Sequence, residues 1–411
     1  MSDFPKIVIV GAGHAAGYVL QSLAKSGVKG GVTLISDEPY APYQRPPLSK
    51  KYLAGDMDKE GLMLLRSSFF DDFGYEFVKG QKVTSIDRDE KRVMTGEGDS
   101  VSYDKLILAT GTRARPLSVP GTELNGVHYL RGIGDVEGIK AKWPDAQSLV
   151  VIGGGFIGLE VAAVARGAGK QVTIIEMQDR LMPRVVAPLV SDFYRDIHEG
   201  HGVEICVNSG VDEILGEGGQ VTGVISNGRE IQAQMVIIGI GVLANDELAS
   251  DCGLECDAGI FVDEFTRTDD LDIFAVGDCT RHYNPLYQRR LRLESVHNAV
   301  EQGKTAATTI LGEAGQGSAK PYGQIPWFWS DQYDLKLQMV GLSDGYDETI
   351  VRGDIENSAF SVFYYQRDKL IAVDSINRPA DHLMSRKLLG GNISVPKDKA
   401  GDADFNLKEL L

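Results

Sequence analysis

The sequence predicts an α/β protein with two doubly wound parallel sheets, followed by a smaller α+β domain at the C-terminus. Three observations carry this: one glycine-loop pattern occurs twice, strand-like apolar runs follow each copy, and the composition turns aromatic from about Gln324.

Each copy is a short apolar run, a glycine loop, a helix-like segment and a second apolar run that ends in acid. The first spans Lys6 to Glu38: the run IVIV, the loop Gly11-Ala-Gly-His-Ala-Ala16, a segment to Ser26, and VTLIS before Asp37. The second spans Ser148 to Glu176: LVVI, Gly153-Gly-Gly-Phe-Ile-Gly158, a helix from Leu159 to Ala168, and VTII before Glu176. Continuous β-branched runs bounded by glycine read as strands buried on both faces of a parallel sheet. Between the copies, Val83 to Ile86, Arg92 to Thr95 and Lys105 to Ala109 read as strands that complete the first domain. Beyond the second copy, Val203 to Ile240 shows short strands with glycine turns, and the run IFAV with Gly277-Asp278 reads as a return to the first domain. The predicted division is residues 1–115 with 245–323, then 116–244, then 324–411, the last opening on Trp327, Phe328 and Trp329.

A chain of 411 residues exceeds what one core usually supports. Its four cysteines, Cys206, Cys252, Cys256 and Cys279, make no disulfide framework, and the start MSDFPK lacks the apolar core of a signal peptide. A reducing, cytoplasmic setting is the expectation. Every apolar stretch is interrupted well short of the roughly 20 residues needed to cross a bilayer, so no membrane association is expected. The formal net charge of -16 argues against nucleic acid, which demands a basic field. Against it stands one basic stretch: Arg281, His282, Arg289, Arg290 and Arg292.

A glycine loop between strand and helix points unpaired N–H groups and the positive end of the helix dipole at a pyrophosphate. One such match is weak. Two, each followed about 20 residues later by an acid at a strand end, point to two dinucleotides. Glu176 directly ends its strand, where a carboxylate accepts hydrogen bonds from an adenosine ribose and repels an added 2'-phosphate, so NADH is favoured over NADPH. In the first copy the third glycine is Ala16, and the acid is Asp37 or Glu38, with Asp37 favoured.

With both loops placed, the chain resembles the FAD-dependent ferredoxin reductases, over nearly its whole length. The marks are Arg45-Pro-Pro-Leu-Ser-Lys50, Tyr103-Asp-Lys-Leu-Ile-Leu-Ala-Thr-Gly111, the Gly153 loop with Leu159-Glu160, Phe274-Ala-Val-Gly-Asp278, Glu294-Ser-Val-His-Asn-Ala299 and Pro326-Trp-Phe-Trp-Ser-Asp-Gln332. The resemblance implies dinucleotide domains of the glutathione-reductase-like type, with FAD at the first loop and NADH at the second. It implies FAD contacts at Ala15, Asp37, Lys50, Val83, Arg131, Asp278 and Val296. Further cofactor positions on its motifs are Gly11, Gly13, Ala16, Arg45, Ala109, Thr110, Gly111, Gly153, Gly155, Ile157, Gly158, Glu176, Gly241, Gly277 and Ser295. Lys50 would set a cation near the flavin, and Glu160 would meet the nicotinamide carboxamide; these two are the implied catalytic residues. Trp327 would close over the flavin edge and Trp329 would face the partner, with burial in a core as the competing role for each.

Related flavoproteins that reduce disulfides carry a cysteine pair in the N-terminal domain, whereas the first cysteine here is Cys206. What remains is hydride transfer from NADH to flavin, then release of electrons one at a time, which suits an iron-sulfur protein; the resemblance implies that this is a two-iron two-sulfur ferredoxin serving a monooxygenase or a ring-hydroxylating dioxygenase. Such ferredoxins are acidic, so Arg289, Arg290 and Arg292 are the expected docking cations. A rubredoxin reductase or NADH oxidase, and a signalling flavoprotein that senses NADH, share the same motifs. No metal site is expected: His198-x-x-His201 with Cys206 matches no zinc spacing.

Overall fold

The computed structural model describes residues 4–411. Its contacts group the chain into two compact units, residues 1–45, 59–113 and 243–324 in one, and 46–58, 114–242 and 325–411 in the other. The segment 46–58, which carries Lys50, therefore groups with the middle and C-terminal parts rather than with the N-terminal sequence around it.

The first unit is built on five parallel strands, in the order Ile273–Ala275, Lys105–Leu108, Ile7–Val10, Val32–Ser36 and Glu76–Lys79. Ile7–Val10 is buried at every position because helices and loops cover both faces. On one face the helix His14–Lys25 packs against the helix Val296–Glu313. Gly303 makes that crossing possible, since a Cβ there would come within 2.6 Å of the Ala15 carbonyl oxygen. A separate three-stranded sheet of Ile260–Val262, Thr280–Asn284 and Arg289–Leu291 lies in the same unit.

The second unit repeats the plan. Val127–Tyr129, Met235–Ile238, Ser148–Ile152, Gln171–Ile175 and Val203–Cys206 are parallel, with the glycine-loop strand again central. The helix of the second copy runs from Phe156 to Gly167 and the first from His14 to Lys25, so Ala15, Ala16 and Gly158 lie in first helical turns rather than in loops. After residue 325 come five antiparallel strands, ordered Trp327–Gln332, Leu335–Gly341, Lys369–Ile376, Ala359–Gln366 and Glu348–Asp354. Val340, Phe363, Val373, Leu388 and Leu389 fill the space between this sheet and the helix Pro379–Gly390. Among the described residues no helix is long and apolar enough to cross a membrane.

On the sheet's other face the Tyr364 hydroxyl accepts the Ala187 N–H at 3.0 Å and donates to Asp374 Oδ2 at 2.5 Å. Asp374 is buried, and burial pushes its carboxyl up to about 7. A carboxyl that keeps its proton to higher pH folded than unfolded makes the native state the better proton binder, so its contribution to stability falls as pH rises from ~4 to about 7. Asp374→Asn should therefore gain melting temperature on the wild type steadily across that window. A difference that stays constant with pH would show that Asp374 ionises normally.

Candidate active site

In the first unit the strand Ile7–Val10 ends at Gly11, whose φ of 100° is left-handed and whose Cβ, if present, would lie 2.4 Å from the Ala109 carbonyl oxygen. Gly13 caps the following helix with no side chain bonded to the first-turn N–H groups and no acid in that turn. A Cβ on Gly13 would meet nothing within 4 Å. Gly11 is thus demanded by the turn itself, whereas the space at Gly13 leaves polarised N–H groups open to an anion. Ala15 and Ala16 are buried beneath, Ala15 with its Cβ beside Gly277. The Gly277 N–H bonds Gln302 Oε1 at 2.8 Å, and Asp278 follows in the field of Arg45. Thr110 and Asn245 exchange hydrogen bonds of 2.6 and 2.9 Å beside Gly111, and Val83 is buried. Ser295 caps the helix that opens at Val296, its Oγ accepting the Asn298 N–H at 3.1 Å.

The two strand ends differ. Val10 pairs with Ile35 as Ile152 pairs with Ile175, so the register position of Glu176 is filled in the first copy by Ser36. Asp37 is exposed one residue further on. Glu38 is committed internally: its carboxylate accepts from Tyr43 Oη and Arg45 Nη2, each at 2.6 Å, while Arg45 Nη1 donates to Tyr43 Oη at 2.9 Å.

In the second unit Gly153 has φ of 107° and a Cβ there would sit 2.5 Å from the Gly239 carbonyl oxygen; at Gly158 it would meet the Gly153 carbonyl oxygen at 2.1 Å. Gly155, like Gly13, caps its helix with no side-chain partner and has nothing within 4 Å of a built Cβ. Beside it Ile157 is 43% exposed, an apolar side chain left at the mouth of the turn. Glu176 Oε2 accepts the Gly154 N–H at 2.7 Å and Oε1 accepts the Gln178 N–H at 2.8 Å, which fixes the carboxylate at the strand end. Gly241 takes φ of 100° beside the Arg184 side chain, and the Arg131 N–H donates to Asp135 Oδ2 at 2.8 Å.

Glu160, on the same helix as Ile157, is buried and takes three side-chain donors. Lys50 Nζ lies 2.6 Å and Ser49 Oγ 2.5 Å from Oε2, and Ser330 Oγ lies 2.6 Å from Oε1. A carboxylate 2% exposed is stable only with such compensation. Trp327 and Trp329 share the opposite face of their strand from Ser330, and both are half-buried. Trp327 lies under the Arg386 guanidinium at 4.6 Å and against His382.

The basic stretch is divided. His282 is core, held neutral by burial that pushes its pKa down to about 4. Arg281 pairs with Asp257, Arg292 with Glu294 at 2.7 Å, and Arg290 lies over Phe261 at 4.5 Å. All four thiols are raised by burial, Cys256 to about 12, so none is a thiolate at neutral pH.

Residues 5–303 match the pyridine nucleotide-disulphide oxidoreductase family and 327–411 match the reductase C-terminal family. The chain belongs to the pyridine nucleotide-disulphide oxidoreductases. It is 45% identical over 403 residues to rhodocoxin reductase of Rhodococcus erythropolis, covering 98% of this chain and 93% of that one. The crystal structure of a ferredoxin reductase for the CYP199A2 system of Rhodopseudomonas palustris superposes with a TM-score of 0.94 at 41% identity, covering 98% and 99% of the two chains. The covalent putidaredoxin reductase–putidaredoxin complex gives 0.94 at 42% identity, covering 98% and 97%.

For this oxidoreductase, sequence reasoning missed the hydroxyls that hold Glu160. Ser49 adjoins Lys50 and Ser330 adjoins Trp329, inside motifs already singled out, but nothing local points either at a glutamate more than a hundred residues away. The two kinds of glycine give a direct test. Gly155→Ala should leave the melting temperature within about 2 °C of wild type while raising the NADH KM about tenfold, because the added methyl enters only the anion space. Gly158→Ala should instead lower the melting temperature by several degrees. An unchanged KM in Gly155→Ala would remove this opening as the nucleotide cradle.

Proposed function

We propose that this chain holds FAD at the Gly11 turn and NADH at the Gly153 turn, and delivers electrons singly to a two-iron two-sulfur ferredoxin that serves an oxygenase. The observation that carries the reading is a pair of complete, open glycine cradles in a protein whose thiols are all held neutral. FAD supplies the hydride acceptor and the means of dividing an electron pair. What the protein supplies is position and charge. The N–H groups at the start of each helix receive a pyrophosphate. Glu176, fixed by two backbone N–H groups, meets ribose hydroxyls and repels a 2'-phosphate. Arg180, on the loop that follows, spends its guanidinium on the Val186 and Pro183 carbonyls. Glu160 holds the Lys50 ammonium in one place, and that cation would favour a flavin carrying extra electrons.

Arg289, Arg290 and Arg292 are the candidate contacts for the acceptor protein, and Trp329 is a separate one. Within this patch Arg292 faces Glu294 at 2.7 Å and Arg290 lies over Phe261 at 4.5 Å. Support comes from the register, which puts Phe261, Arg281, Tyr283 and Arg290 on one sheet face, so that aromatic and basic side chains mix there, while Arg289, opposite Asn284, belongs to the other face. NADH-driven reduction should be fast with an acidic ferredoxin, slow with NADPH, and slow in air without an acceptor. Faster turnover with rubredoxin or oxygen than with any ferredoxin would overturn the assignment. Alanine at Arg289, Arg290 and Arg292 together should raise the ferredoxin KM at least about fivefold and flatten its salt dependence, with flavin bleaching by NADH unchanged. A wild-type KM and salt slope would exclude this patch and leave Trp329→Ala as the remaining test of docking.

A further inference from the structure

The helix Pro188–Gly200 buries Val190, Tyr194 and His198 along one face, and His198 is fully enclosed. Along the strand Trp327–Gln332, Ser330 and Gln332 project to one side by the two-residue alternation, both of them buried. His198 Nε2 lies 2.9 Å from Gln332 Oε1, Gln332 Nε2 lies 3.2 Å from Ser330 Oγ, and Ser330 Oγ lies 2.6 Å from Glu160 Oε1. At the far end the Tyr333 hydroxyl lies 3.2 Å from His198 Nδ1. Tyr333 itself has φ of 54° at the turn into the next strand and stacks on the exposed ring of His201 at 3.8 Å.

The direction of every bond in this row is fixed by its last member. Glu160 accepts, so Ser330 donates its only proton to Oε1 and must itself accept from Gln332. The Gln332 amide therefore turns its nitrogen to Ser330 and its oxygen to His198. That oxygen demands an N–H at Nε2, which leaves Nδ1 as the acceptor for Tyr333. Burial keeps the imidazole neutral, with a pKa near 4, and so preserves one donor and one acceptor. A single alternative proton position at any link would leave two donors or two acceptors facing each other in a buried site, at the cost of an unmade hydrogen bond.

We infer that His198 is a positioning residue for Glu160, acting through Gln332 and Ser330 to fix the hydroxyl that holds one oxygen of that carboxylate. Lys50 and Ser49 grip the other oxygen, so the row sets the rotation of the carboxylate about its axis. This rests on the reading of Glu160 as part of the hydride-transfer site, and it gives the His198-x-x-His201 pattern a role unconnected with metal. The two imidazoles point to different partners: His201 Nδ1 sits 2.8 Å from the Ile197 carbonyl oxygen.

The test uses FAD-loaded protein and two readouts. In ¹⁵N-histidine-labelled wild type, His198 should be the neutral Nε2–H tautomer throughout pH 5.5 to 8; a charged ring or an Nδ1–H tautomer would overturn the inference without any substitution. In anaerobic stopped-flow mixing with NADH, Gln332→Met should bleach the flavin about tenfold more slowly with the NADH KM within about twofold, and Ser330→Ala should match it. The double variant should be no slower than either single one, because one row is being cut twice. Additive losses, or bleaching at the wild-type rate in Gln332→Met, would overturn it. If Gln332→Met does not fold, Ser330→Ala against Ser330→Thr, which restores the hydroxyl, makes the same comparison. Wild-type protein that NADH fails to bleach would instead sink the reading of the chain as an NADH-dependent flavoprotein, and the tautomer would still decide the row.

Discussion

A carboxylate taken almost wholly out of water dictates the arrangement around it. Glu160 needs compensation from several donors, and they come from chain segments that sequence keeps far apart: Ser49 and Lys50 before it, Ser330 long after. This explains why residues 46–58 group with the middle and C-terminal parts of the chain, leaving the N-terminal sequence on either side of them in the other unit. It also gives the C-terminal sheet a function beyond covering apolar surface. Its first strand presents Trp327 and Trp329 on one face and Ser330, one of the donors to Glu160, on the other.

The duplicated fold shows how little must change for two copies to specialise. Both sheets place the glycine-turn strand at the centre and both turns leave a helix start uncapped. The differences lie at the rim. Where the second copy has a carboxylate fixed by backbone N–H groups, the first has Ser36, and the acids that follow it divide into the exposed Asp37 and the internally paired Glu38. Where the second has Gly158 pressed on its own turn, the first tolerates Ala16. Identical backbone plans thus present different hydrogen-bonding edges to what binds there.

Much of this was legible in the sequence because the physics is local. A left-handed φ at Gly11 or Gly153, a helix beginning three residues past each of them and an acid at or just past the end of the next strand all leave marks within about 25 residues. The strands also followed from unbroken β-branched runs. What escaped was set by distant partners. The basic stretch looked continuous from Arg281 to Arg292, yet Asp257, Glu294 and Phe261 engage three of its members and the core takes His282. The sequence set Glu160 against a nicotinamide carboxamide but carried no sign of the three side-chain donors that its carboxylate takes. His198 was set aside as a poor metal ligand, and nothing near it in sequence indicates Gln332.

Removing the charge of Glu160 while keeping its shape bears most directly on all of this. If the buried carboxylate governs how hydride reaches the flavin, Glu160→Gln protein will still purify with FAD, yet anaerobic NADH will bleach it at least about tenfold more slowly than wild type. Bleaching at the wild-type rate, with flavin content unchanged, would contradict that role.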